Sequence, residues 1–119
     1  MTKKYNIYDV PNDLNPTSET EISEMIKHLL GLSVHEIDFD AAKKLCESYY
    51  KSEVFLIKRI SIMCAGHIAR VYRKLIDLEI IKEINEISKN PSSEFYGVAN
   101  DALDDIETFL DQNIRSHLN

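Results

Sequence analysis

Apolar residues recur every three or four positions along most of the chain, and this spacing predicts amphipathic helices rather than strands. Five helices are expected, beginning near Ser18, Asp38, Glu53, Asp77 and Ser93. Ser18 opens a capping box with the glutamate three positions later, and the two aspartates are good N-cap residues. The pattern therefore predicts an all-α fold.

A few individual residues predict where the helices end and which of them is central. Gly31 is a favourable C′ residue, so we expect the first helix to end there. The third helix runs to about Leu75 and is apolar over most of its girth, which indicates a central position. Gly66 in its middle costs about 1 kcal/mol relative to alanine, and the close approach of a neighbouring helix would offset this cost. The fifth helix is expected to reach Leu118.

The composition indicates a single domain of residues 1–119. The chain has 119 residues with only 3 Gly and 3 Pro, whereas turn-rich β folds need more of both. Residues 1–16 lack helical periodicity and form an irregular arm, which either lies against the helices or contacts a partner. Residues 17–118 form the helical part. Because no leader-like or membrane-spanning apolar run occurs, a cytoplasmic protein that does not bind membranes is expected.

Cys46 and Cys64 both fall in apolar stretches and lack the spacing of a metal site or a redox motif. They are expected to be buried thiols in a reducing compartment. A disulfide between them is the alternative, although cytosolic proteins keep few such bridges.

The third and fifth helices resemble each other, which indicates an internal repeat. Setting residues 64–68 on 102–106 gives an offset of about 38 residues, and the aspartates that cap the preceding helices are about 39 residues apart. Each unit would be a helix pair that buries one apolar stripe within the pair and another against the next pair. With a first capping helix, two pairs account for five helices.

The segments 65–69 and 93–106 resemble the second helix of a HEAT repeat. The resemblance covers residues 38–110, and it implies antiparallel helix pairs stacked as a short HEAT-like right-handed solenoid. The chain departs from the family pattern because neither first helix contains a proline kink. It also has few repeats for a true solenoid.

Two sequence stretches carry a second resemblance: Gly-His-Ile-Ala-Arg at 66–70 and Ala-Asn-Asp-Ala-Leu-Asp-Asp-Ile at 99–106. Together they are similar to bacterial HEAT-like immunity proteins of the contact-dependent growth inhibition type. This resemblance implies a cytoplasmic protein that neutralises a cognate toxin by covering its active or substrate-binding surface. Such toxins often end in a basic nuclease domain, which suits an acidic inhibitor.

Charge is distributed unevenly along this chain, whose net charge is −6. Residues 53–75 hold one acid and five basic residues, while residues 92–119 hold six acids against Arg115. Positions 101, 104, 108 and 111 share one face of the fifth helix, so a basic partner would relieve the repulsion between their carboxylates. A solvated helix face is the alternative. A Ca²⁺ site is disfavoured because no glycine-containing ligand loop occurs.

The candidate partner-binding residues lie on the third and fifth helices. A general acid–base role for His67 would need an orienting carboxylate. The alternative is that His67 is packed against a neighbouring helix. Arg70 and Arg73 either pair with acids of an adjacent helix or bind RNA. The net negative charge of the chain disfavours RNA binding. Tyrosines near helix ends are either partner anchors or packed at the rim of the core. The candidates are Asp101, Asp104, Asp105, Thr108, Asp111, Tyr96, His67, Arg70 and Arg73.

The sequence contains no Gly-rich phosphate loop and no GxSxG, HExxH or CxxC motif, the patterns that would indicate an enzyme or a bound cofactor. We therefore expect a non-enzymatic immunity protein without cofactor or metal, whose partner is a basic toxin rather than a nucleic acid or a membrane. The alternative is a scaffolding helical-repeat protein that forms a weak homodimer through an exposed end of the stack. If the acidic face binds the toxin, charge reversal at Asp104 and Asp105 weakens binding and its salt dependence.

Overall fold

The chain folds into helices joined by short connections. The computed structural model describes residues 8–110 and 113–118, and these contain six helices and no strand. The all-α prediction is therefore confirmed. None of the described helices is long and apolar enough to cross a bilayer. The helices are α1 (Glu19–Val34), α2 (Phe39–Tyr50), α3 (Phe55–Tyr72), α4 (Leu78–Ile87), α5 (Tyr96–Leu110) and α6 (Ile114–Leu118).

Three predicted helix starts carry the expected side-chain caps. The Ser18 hydroxyl accepts a hydrogen bond from the backbone N–H three residues later, at 3.3 Å. The Asp38 carboxylate accepts from the N–H three residues later at 2.9 Å, and Asp77 accepts from the N–H two residues later at 3.1 Å. Because the first N–H groups of a helix have no partner inside it, these short side chains fix where α1, α2 and α4 begin.

The expected end of α1 at Gly31 is wrong. The helix continues to Val34, and the backbone N–H of His35 donates to the Gly31 carbonyl at 3.2 Å. Leu32 and Ser33 are buried. Packing of this last turn against the core outweighs the low helix propensity of one glycine.

The predicted fifth helix consists of two helices in the structure. α5 spans Tyr96 to Leu110, and α6 follows after residues 111 and 112, which lie outside the described part of the chain. α3 ends at Tyr72 rather than near Leu75. Its C-cap, Arg73, has the left-handed backbone conformation (φ 58°, ψ 36°) that commonly terminates helices.

α3 lies at the centre of the fold, as its apolar girth predicted. It contacts α1, α2 and α5, and its contact with α5 is the most extensive. α4 packs against α5, and α6 contacts both. The Cα atoms extend over 46 × 32 × 18 Å. The buried residues of α3 are Ile57, Ile60, Ser61, Ile62, Cys64, Ala65, Gly66, Ile68 and Ala69.

The close approach predicted at Gly66 is confirmed, and its partner is α5. A Cβ atom placed on Gly66 would lie 3.1 Å from the Cα of Ala102 and 3.1 Å from a carboxylate oxygen of Asp105. The absence of a side chain therefore lets the backbones of α3 and α5 come together. This contact fixes the position of α5, which carries most of the predicted acidic residues.

The described part of the N-terminal arm lies against the helices. Pro16 is buried, and Leu14 packs against the core. The Ser52 hydroxyl donates to the carbonyl of Leu14 at 2.5 Å, and the N–H of Glu53 donates to Oδ1 of Asn15 at 2.7 Å. The arm thus holds the connection between α2 and α3 in place.

Candidate functional site

The predicted acidic face of α5 is divided between two environments. Asp101, Asp104 and Thr108 are exposed, whereas Asp105 is half-buried and turned toward α3. The Thr108 hydroxyl donates to the Asp104 carbonyl at 2.7 Å, within the helix. Asp111 lies outside the described residues. Among the described positions, the outward acidic face therefore consists of positions 101 and 104.

Arg115 of α6 lies against this face. Its guanidinium contacts the Asp104 carboxylate at 2.9 Å and the Glu107 carboxylate at 2.6 Å, and it donates to the Asn100 carbonyl at 3.1 Å. Part of the negative charge of α5 is therefore neutralised within the chain. Sequence reasoning counted Arg115 but gave it no role, because its contacts depend on where α6 packs against α5.

His67 lies beside Arg70 on α3 and within reach of the charge of Asp105 on α5. Nη2 of Arg70 lies 3.4 Å from Nδ1 of His67. Burial, followed by the charge of Arg70, lowers the pKa of His67, while the charge of Asp105 opposes this shift. The structure thus supplies a carboxylate that the sequence did not place near this half-buried histidine. The net lowering of its pKa favours the neutral ring, which is consistent with a packed histidine.

Arg73, the third basic candidate, is engaged at the C-terminal end of α5. Its Nη1 donates to the carbonyl of Phe109 at 2.6 Å, and its guanidinium lies 5.1 Å from the centroid of the Phe109 ring. A positive charge is favourable there because the last carbonyls of a helix carry partial negative charge. Arg73 therefore helps to join the ends of α3 and α5.

The tyrosines near helix ends differ in accessibility. Tyr49 and Tyr50 are buried, while Tyr96 is 39% exposed at the start of α5. The hydroxyl of Tyr72 forms hydrogen bonds with the last turn of α1 and with the connection between α1 and α2. Of the candidates, Tyr96 is the tyrosine placed to contact a partner.

A groove that sequence reasoning missed lies where the end of α2, the starts of α3 and α4, and the residues before α5 come together. It encloses about 720 Å³. Because three segments that are far apart in sequence form this groove, no local sequence pattern predicts it. We call it the aromatic groove, after the rings in its wall. Two lysines and five exposed carboxylates line it, and the carboxylates are Glu53, Asp77, Glu79, Glu83 and Glu94.

Aromatic rings form the wall of the aromatic groove. Phe55 and Phe95 are stacked, with ring centroids 5.1 Å apart and planes inclined at 25°. The ammonium group of Lys58 lies 4.5 Å from the centroid of the Tyr50 ring and 5.8 Å from that of Phe95. The Tyr50 hydroxyl donates to Glu83 at 3.3 Å. Burial, then the nearby Glu83 charge, raises the pKa of Tyr50, so its hydroxyl keeps its proton.

A second, more apolar groove of about 420 Å³ lies along α1. Ile22 and Ile26 of α1 and Leu56 of α3 supply its apolar lining. Leu56 is 50% exposed. This surface has the character of a protein contact rather than of a catalytic site.

The two cysteines are buried as expected, and both are free thiols. The Cys46 thiol donates to the carbonyl of Ser61 at 3.1 Å. Burial raises the pKa of both thiols, that of Cys64 to about 12. Within the described ranges, no group of three or more His, Cys, Asp or Glu side chains is arranged to hold a metal ion.

Stability is expected to fall as the pH rises above 9. The ordinary thiol pKa is 9.0, and burial raises it for Cys46 and Cys64 in the folded chain. The folded state therefore keeps protons that the unfolded state releases, and the free energy of unfolding decreases between about pH 9 and pH 12. Urea unfolding at pH 8 and pH 10.5 measures this loss. The double variant Cys46→Ala/Cys64→Ala should show a smaller loss, and an unchanged pH slope would contradict the assignment.

No family model, curated protein or solved structure matches the chain.

Proposed function

We propose that this chain is an immunity protein that binds a basic toxin, such as a nuclease domain, and covers its active or substrate-binding surface. One observation carries the proposal: three arginines are engaged by groups of the chain's own helices, while carboxylates of α5 and of the aromatic groove face outward. Arg70, Arg73 and Arg115 contact the chain's own helices. Asp101 and the carboxylates of the aromatic groove are exposed. A surface of this kind attracts cationic proteins and repels nucleic acid phosphates.

The outward carboxylates would act first on the rate of association. Complementary charge steers diffusing proteins into productive encounters and raises the association rate more than the final affinity. A nuclease must present positive charge to its nucleic acid substrate. An acidic protein bound at that surface would exclude the substrate without performing any chemistry.

The helix contacts support the HEAT-like part of the proposal. α1, α3 and α5 contact one another in series, while α2 packs on α3 and α4 packs on α5. A capping helix followed by two stacked pairs would have these neighbours. In this proposal the pairs are antiparallel, the stack is a short right-handed solenoid, and the protein acts in the bacterial cytoplasm.

Growth rescue tests the proposal. The toxin domain encoded beside the gene for this chain is expressed in a sensitive host with or without the chain, and rescue together with a purified one-to-one complex is expected. Asp101→Lys should weaken the complex on the order of tenfold and reduce its salt dependence, because it reverses one steering charge. Glu36→Lys, an equal change at an exposed residue between α1 and α2, is the control. Toxicity without rescue, or no complex, would overturn the proposal.

A scaffolding role through self-association is the second candidate, and the apolar groove along α1 favours it. Exposed apolar surface of this kind often marks a contact between proteins. Light scattering on the isolated chain separates the two functions. A stable dimer that Leu56→Glu converts to a monomer, in a chain that fails to rescue growth, would favour scaffolding.

A further inference from the structure

We propose that the aromatic groove is a docking site for an arginine-bearing segment of a partner protein. The inference rests on the proposed function only for the identity of that partner. Asp101 and Asp104, the outward carboxylates of α5, do not line the groove. The two surfaces can therefore be tested independently.

The aromatic wall is the first support. Phe55 is 40% exposed although it is a large apolar side chain, and it is held by stacking on Phe95 rather than by burial in the core. A stacked ring with an open side is a surface on which a planar guanidinium or another ring can lie. The wall therefore offers contact area to a partner's side chains.

Charge determines which side chain fits. Five carboxylates line the groove against Lys51 and Lys58, so its net charge is negative. The side chains of Glu53 and Glu94 make no ion pair within the described residues. Guanidinium groups bind carboxylates through two parallel hydrogen bonds and also stack on aromatic rings. Arginine is thus the side chain that matches both the rim and the wall.

Lys58 shows that the groove already holds one cation against its rings. Its ammonium group faces the Tyr50 ring at 4.5 Å and lies farther from Phe95, at 5.8 Å. The exposed side of Phe55 is left for a second cation. Attraction between a cation and an aromatic face contributes to affinity most where water is partly excluded.

The groove is also held in shape before any partner arrives. Ser52 and Glu53 are bonded to the arm at Leu14 and Asn15, and the Ser52 hydroxyl accepts from the N–H of Val54 at 3.0 Å. A docking surface that is already ordered loses little entropy on binding. The arm therefore supports the groove without lining it.

The probe for the test is the tripeptide acetyl-Arg-Phe-Arg amide, titrated into the ¹⁵N-labelled full chain. Amide shift changes are expected at residues 50–58 and 94–96. The same peptide with citrulline in place of arginine keeps the shape and removes the charge, and it should bind about tenfold more weakly because the charged contacts are lost. Spermidine, a cation without a ring, should also bind more weakly than the arginine peptide.

Variants connect the binding to individual side chains. The double variant Glu53→Gln/Glu94→Gln removes two rim charges and is matched by Glu36→Gln/Glu86→Gln outside the groove. Phe55→Ala removes the open ring, and Phe55→Leu keeps apolar area if the alanine variant folds poorly. Each groove variant should weaken the arginine peptide at least fivefold, and the matched control should not.

The inference would be overturned by shift changes spread over the whole surface, by equal binding of the citrulline peptide, by tighter binding of acetyl-Glu-Phe-Glu amide, or by spermidine binding as tightly as the arginine peptide. Rescue of growth with no peptide binding at the groove would leave the proposed function standing and remove the docking site. Peptide binding without rescue of growth would leave the docking site standing and overturn the proposed function.

Discussion

Replacing Gly66 by valine is expected to destabilise the fold by about 3 kcal/mol, because overpacking of this size costs about 1–3 kcal/mol and the contact is between backbones. Even a Cβ atom at this position lies 3.1 Å from the Cα of Ala102 and 3.2 Å from the Cβ of Asp105. Valine adds two further methyl groups, so α3 and α5 must separate. Urea unfolding followed by circular dichroism measures the loss.

Two alanine variants serve as matched controls for this contact. Gly66→Ala gains helix propensity but still crowds α5, so a net loss of about 1 kcal/mol is expected. Gly31 also lies inside a helix, but no atom comes within 4 Å of a Cβ placed there. Gly31→Ala should therefore stabilise the fold by about 0.4–1 kcal/mol. If both alanine variants stabilise the chain, the close contact of α3 and α5 is contradicted.

Local signals in the sequence account for much of the helical framework. The caps at Ser18, Asp38 and Asp77 were predictable because each acts on a backbone group two or three residues away. The close approach at Gly66 was predictable because glycine in a buried, apolar helix needs a packing reason. The continuation of α1 beyond Gly31 to Val34 was not predictable, because the burial of that last turn depends on neighbours that are distant in sequence.

The candidate site depends more on tertiary contacts, and sequence reasoning found less of it. The carboxylates of α5 were identified, but the packing of α6 on α5, which brings Arg115 onto Asp104, cannot be predicted from a helical pattern. The aromatic groove joins Phe55 to Phe95 across forty positions, and neither ring lies in a motif. The separation of charge in the sequence, between the basic segment 53–75 and the acidic segment 92–119, was itself informative. The structure shows that part of it serves the packing of α3 against α5, as in the contact of Arg73 with Phe109.

Removing one hydroxyl with Tyr72→Phe is expected to destabilise the fold by about 1–2 kcal/mol, because the carbonyl of buried Leu32 and the N–H of half-buried Asp38 lose a hydrogen-bond partner. The Tyr72 hydroxyl lies 2.8 Å from the carbonyl of Leu32 and 3.0 Å from that of His35, to which it can donate. It accepts from the N–H groups of Ile37 and Asp38 at 3.1 and 3.2 Å. This single oxygen from the end of α3 therefore organises the whole connection between α1 and α2.

Tyr50→Phe is the matched control, because it deletes the same atom where the hydroxyl has a single long contact, 3.3 Å to Glu83. Loss of the Tyr50 hydroxyl should lower the free energy of unfolding by less than about 1 kcal/mol, because the exposed Glu83 carboxylate can hydrogen-bond to water instead. Hydrogen exchange locates the effect: in Tyr72→Phe the amides of Ile37 and Asp38 should lose protection before the core of α3 does. Equal costs for the two variants, or unchanged exchange at the connection, would show that the Tyr72 hydroxyl does not hold the connection between α1 and α2.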